Sequence, residues 1–227
     1  MKRWAAVLVA AIQVTPIGGL AAPLTSPPGR WTVTACVPDT VGLDSSIWNT
    51  GRGTFFGRAL GQTFLAFDTV ITRITVWRTP NNINAVGTHL FVTTVDAAQQ
   101  PPRPMTQGIL QDGPTVFIRD SDPPGQLVRM DFIIEPPLAL PRPGLYAFFL
   151  QREGCDIGET RLTASTDNPY PYGIYWITGR TAGGPCALRS VGGGEDYTDL
   201  IFEIEFCRTD ATPVRGRTWG ELKLLYR

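Results

Sequence analysis

The chain has 227 residues, with 24 Gly and 20 Pro, 43% apolar and 18% charged residues, and Lys+Arg matching Asp+Glu at 20 each. That composition excludes a disordered chain, and the balanced charge excludes a basic protein drawn to nucleic acid or an anionic membrane. So many helix-breaking residues point to short segments joined by turns.

Lys2 and Arg3 precede an apolar run from Trp4 to Val14, and the small residues Gly18, Gly19, Ala21 and Ala22 follow. This pattern predicts a secretory signal peptide over residues 1–21, cut after Ala21. The expected location is therefore outside the cell or at its surface, with the periplasm as the other oxidising compartment. No later apolar run approaches the ~20 residues that span a bilayer, so no transmembrane segment is expected in the mature chain.

Residues 22–30 (AAPLTSPPG) read as a flexible lead-in to a domain over 31–207. The first strand is expected over 31–37, ending at Pro38. Residues 61–67 (GQTFLAF) and 69–77 (TVITRITVW) follow. In the latter, Val70, Thr72, Ile74 and Val76 are expected on one face and Ile71, Arg73, Thr75 and Trp77 on the other. The next strand is 88–95 (THLFVTTV), and residues 97–108 (AAQQPPRPMTQG) read as a long loop. Further strands are expected over 115–119, 127–134 (stopped by Pro136-Pro137), 144–151 (GLYAFFLQ), 173–178 (GIYWIT) and 200–207 (LIFEIEFC). About ten strands spaced ten to twenty residues apart predict an all-β fold, an antiparallel sandwich or barrel. Residues 208–216 read as a linker. In the tail over 217–227, Trp219, Leu222, Leu225 and Tyr226 share one face of a short amphipathic helix.

Cys36, Cys155, Cys186 and Cys207 are an even number in an oxidising compartment, which allows three pairings. Cys36–Cys207 is preferred because it joins the first and last strands of the body. Cys155–Cys186 would then close a loop of ~30 residues, worth roughly 3–4 kcal/mol on the chain-entropy model. The cysteines contain no closely spaced pair, which argues against zinc.

Catalytic signals are weak. His89 is the only histidine, and no nucleophile elbow or zinc-protease motif accompanies it. Two regions could contact a ligand. The segment 167–176 (DNPYPYGIYW) holds Asn168, Tyr170, Tyr172, Tyr175 and Trp176, whose rings could stack on sugar faces while the amide bonds hydroxyls. Asp196 and Asp199, ahead of the last strand, could hold calcium, the one cofactor the sequence allows. The bland alternatives are half-buried rings over the sandwich edge and solvated turn acids. Arg52, Arg58, Arg73 and Arg78 read as surface residues.

The succession GQTFLAFDTVITRITVW, THLFVTTV, IEPPLALPRPGLYAFFLQ, NPYPYG and DLIFEIEFC resembles secreted bacterial β-sandwich accessory domains. These look like jelly-roll, carbohydrate-binding-module-like domains, and the likeness covers roughly residues 55–207. It implies a jelly-roll sandwich and a non-catalytic role, with a glycan or cell-surface polymer as partner. The tail TWGELKLLYR resembles short C-terminal tails of exported bacterial proteins. The competing expectations are a structural or surface-assembly component with no small ligand and, behind it, a glycoside hydrolase acting through two carboxyls.

Overall fold

The computed structural model describes residues 36–54, 57–79, 87–117, 126–155, 159–179 and 187–208. Among them are thirteen strands: β1 (Val37–Gly42), β2 (Thr50–Thr54), β3 (Ala59–Ala66), β4 (Val70–Arg78), β5 (Thr88–Asp96), β6 (Arg103–Val116), β7 (Val128–Ala139), β8 (Gly144–Arg152), β9 (Thr160–Ser165), β10 (Tyr175–Thr178), β11 (Val191–Glu195), β12 (Asp199–Leu200) and β13 (Phe202–Arg208). The only helical pieces among the described residues are two short 3-10 turns. The signal peptide, lead-in and tail helix expected from the sequence lie outside the described residues, as does the expected linker except for Arg208, which ends β13.

The strands form an antiparallel two-sheet sandwich. One sheet runs β1-β13-β4-β9-β12, with β2 also pairing β9 and β7 also pairing β4. The other runs β11-β10-β3-β8-β5-β6. Alternating residues of both sheets meet in one core. Leu60, Phe64, Leu90, Val92, Phe148 and Leu150 face Ile71, Ile74, Met130, Phe132, Phe202 and Ile204. Burying each such side chain stabilises the fold by roughly 1.5–3 kcal/mol. The rings of Phe148 and Phe202 pack across the two sheets at 5.3 Å.

The outer face of the seven-stranded sheet is charged. Arg73 lies 2.7 Å from Glu205, 3.7 Å from Glu203 and 3.9 Å from Asp131. Arg73 and its neighbours thus form a cross-strand ladder, and Arg73 is not an isolated surface cation. Arg78 departs further from the expectation, since it is buried.

Cys36 and Cys207 form a disulfide with Cα atoms 5.1 Å apart. It closes the chain where β1 lies antiparallel to β13, with Pro38 opposite Cys207. The Cys155–Cys186 pairing lies outside the described residues, because Cys186 does.

Several expected boundaries move, each for a local reason. Residues 31–35 of the first expected strand lie outside the described residues; the first described strand begins at Val37 and runs through Pro38, which a strand paired on one side only tolerates. Residues 103–108, expected in a loop, open the fourteen-residue strand β6, and residues 115–116 end that same strand. Here too the prolines sit on an edge strand. Strand β7 continues past Pro136-Pro137 because its pairing with β4 is interrupted and resumes at Leu138 opposite Ile71. The matching irregularity at Thr72 reverses the facing of β4. Ile71 joins Ile74 and Val76 in the core although strict alternation places it opposite them.

Candidate functional site

The six-stranded sheet has a second apolar face. Ala59, Phe91, Ala147, Phe149, Trp176 and Val191 form a separate buried cluster on the side away from the sandwich core, with Val95, Ile174 and Leu188 packed against it. The register explains how the rings fit. Gly194, Trp176, Gly61, Phe149, Phe91 and Asp112 stand opposite one another across β11, β10, β3, β8, β5 and β6. A side chain at Gly61 would collide with the Phe149 ring and lie 2.8 Å from the Phe148 carbonyl oxygen. One at Gly194 would lie 3.1 Å from the Trp176 ring. The two glycines let the rings lie down across neighbouring strands.

β11 and β6 are opposite edges of the same sheet, yet Arg103 at the start of β6 donates through Nη2 to the Val191 carbonyl at 2.7 Å. The two edges thus touch at a seam beside the second cluster, to which Val191 belongs. At the seam lies a cleft of about 280 Å³. Its lining mixes hydrogen-bonding side chains (Asp96, Gln99, Arg103, Gln107) with apolar ones (Met105, Val191). Its volume is near the lower bound of roughly 300–1,000 Å³ for small-molecule sites. Asp96 is held in its turn by accepting from the Ala98 N–H at 3.0 Å and from Gln99 Nε2 at 3.1 Å. Trp176 is only 5% exposed, and its Nε1 finds no acceptor. Leaving such a donor unmet costs about 1–3 kcal/mol.

The aromatic segment singled out in the sequence is divided between the two cores. Asn168 is exposed and has φ +47°, the left-handed conformation that Asn tolerates in a turn. Tyr170 is buried. Its hydroxyl oxygen accepts from the Leu65 N–H at 3.1 Å, its ring meets Phe202 edge-on at 5.1 Å, and burial pushes its pKa up to about 12. Tyr172 keeps 36% exposure and is the one tyrosine of the three that reaches water appreciably. Tyr175 is buried beneath the Arg52 guanidinium, 5.6 Å from its ring, and burial raises its pKa. Trp176 lies in the second cluster. The five residues therefore form no single stacking platform.

The aspartates separate too. Asp196 is exposed, whereas Asp199 is fully buried. Asp199 accepts from Gln62 Nε2 at 2.7 Å through Oδ1 and from the Tyr170 N–H at 2.9 Å through Oδ2. Gln62 in turn accepts from the Leu200 N–H at 3.0 Å, so β3 of one sheet is clasped to β12 of the other. Burial pushes the Asp199 carboxyl up to about 6 against these two hydrogen bonds. Beside it, Arg52 donates to Glu195 and Thr198, both at 2.8 Å. Among the described residues no group of three or more His, Cys, Asp or Glu side chains gathers as a metal site.

His89 has partners that the sequence does not announce. Its Nδ1 lies 2.7 Å from Thr115 Oγ1 and its Nε2 2.6 Å from Asp112 Oδ1, both on β6. The acid–imidazole–hydroxyl order resembles a catalytic relay. However, Thr115 sits on a strand rather than a sharp turn, and the preceding Pro114 offers no N–H to a developing oxyanion. The trio instead fastens β6 to β5, where the pairing has three irregularities.

Arg103 and Gln107, missed by sequence reasoning, stand in the segment read as a loop. Their signal was the alternation of exposed Arg103, Met105 and Gln107 with more buried neighbours, which the intervening prolines masked. The chain matches no known protein-family model, and no curated protein matches its sequence.

Proposed function

We propose that this protein is an exported, non-catalytic β-sandwich of jelly-roll type that binds a glycan or cell-surface polymer at the mouth formed where the edge strands β6 and β11 touch. The observation that carries the reading is the seam cleft, where amide, carboxylate and guanidinium groups stand beside Met105 and Val191. A sugar needs that mixture, hydrogen bonds for its hydroxyls and apolar contact for its C–H faces. The Cys36–Cys207 disulfide fits an oxidising destination, as does the N-terminal pattern. No helix among the described residues is long and apolar enough to cross a membrane.

The test is a polysaccharide and glycan-array screen on the purified chain, with and without calcium. Binding that falls at least about tenfold in a Gln99→Ala/Gln107→Ala variant places the ligand in the mouth. Binding lost in Tyr172→Ala and kept in the double variant moves the site to the 167–176 turn. A blank across the array rejects the reading in favour of a structural or assembly role.

A further inference from the structure

We propose that the seam between β6 and β11 is a gate, parting at the Arg103–Val191 contact so that a hydroxyl-rich ligand in the mouth reaches the indole N–H of Trp176. The inference rests on the reading of the mouth as a glycan site. It starts from an unmet donor. Trp176 is more than nine-tenths buried and its Nε1 has no acceptor. An indole nitrogen only donates, so it needs an acceptor, and the closed structure places none within reach of it. Thr93 on β5, opposite Ala147 of the second cluster, carries another buried, unpartnered hydroxyl on the same face. Unmet donors of this kind in a native fold commonly mark a place where water or a ligand belongs.

The seam is the weak wall of this compartment. β6 and β11 are terminal strands of the sheet order and share no ladder with each other. The hydrogen bond described between them is the one from Arg103 to Val191. β11 pairs only with β10, its register slips near Thr178, and its centre is Gly192, Gly193 and Gly194, all exposed. Short, singly paired, glycine-rich strands open first. Val191 belongs both to the second cluster and to the cleft lining, so displacing it opens the cleft onto the cluster that holds Trp176. The ligand is then a saccharide that presents a hydroxyl or ring oxygen to the indole N–H and its C–H face to the aromatic row.

The test needs no ligand at first. Solvent exchange of the Trp176 indole N–H is followed by NMR in the whole purified chain, the resonance being identified by its loss in Trp176→Phe. Its protection is expected to be at least about tenfold below that of the Phe148 amide on central strand β8. Arg103→Ala is expected to lower it roughly tenfold further, the effect of removing one hydrogen bond from the closed state, and Arg103→Lys less. An indole as protected as the Phe148 amide, and indifferent to both substitutions, overturns the gate. If Arg103→Ala does not fold, the wild-type protection decides alone. A polysaccharide captured by the chain is expected to shift the Trp176 indole resonance. Capture that leaves it unmoved overturns the gate while the mouth site stands. No capture at all overturns the mouth site and with it the ligand, a failure the ligand-free exchange measurement keeps separate.

Discussion

The seven-stranded and six-stranded sheets supply matching apolar faces to one core, but they meet water in opposite ways. The first turns the Arg73–Glu203–Glu205–Asp131 ladder outward. The second turns Phe91, Phe149 and Trp176 away from that core, where they are buried in a cluster of their own. A sheet with one solvated face needs only alternation, whereas a sheet apolar on both faces needs a second cover. The β6–β11 seam borders that second face, and the cleft lies where Arg103 and Val191 meet. The contrast explains why the candidate site belongs to the six-stranded sheet.

The largest test of the contrast acts on the seven-stranded sheet. Replacing Cys36 and Cys207 by Ser should cost roughly 5 kcal/mol for so long a loop on the chain-entropy model, read by denaturant titration. A loss below about 1 kcal/mol would mean that pairing with β13 alone holds β1. Next come two adjacent phenylalanines of β8. Phe148→Ala, in the main core, should cost about 3–5 kcal/mol, and Phe149→Ala, in the small second cluster, visibly less. Equal losses would show that the two faces are packed alike.

The clasp between the sheets gives a pH effect. The Asp199 carboxyl is held at about 6, above its ordinary 3.8, chiefly by burial. The folded protein therefore binds this proton more tightly than the unfolded chain. Asp199 destabilises the fold above about pH 6, and the penalty fades as pH falls toward 4. Thermal melts of Asp199→Asn should lack that rise in stability on acidification, and melts that run parallel to wild type would show that Asp199 does not titrate there. The smallest effect belongs to the charged ladder. Glu203→Gln should change stability by less than about 1 kcal/mol, and 0.5 M salt should remove the difference.

Much of the sandwich is legible in the sequence because β4, β5, β8 and β13 carry dense β-branched and aromatic runs. The strands that escape are those without such runs. β2 is TGRGT and β11 is VGGGE, both held by partners rather than by their own propensity. The aromatic segment is legible as a cluster but not as two destinations. Tyr170, ahead of β10, joins the main core, and on β10 itself Tyr175 joins that core and Trp176 the second cluster because the strand sits in a sheet that is apolar on both sides. Single-strand alternation cannot reveal that. The mouth is less legible still, since Arg103 and Val191 are far apart in sequence and stand on opposite edge strands of the sheet order.

The Cys36–Cys207 bond has a mechanical consequence. It holds Cys36 and Cys207 with their Cα atoms 5.1 Å apart, although 171 residues separate them in the sequence. Tension applied between those two residues passes through a covalent bond and bypasses the intervening strands. A load across them would thus leave the sandwich between them unstretched.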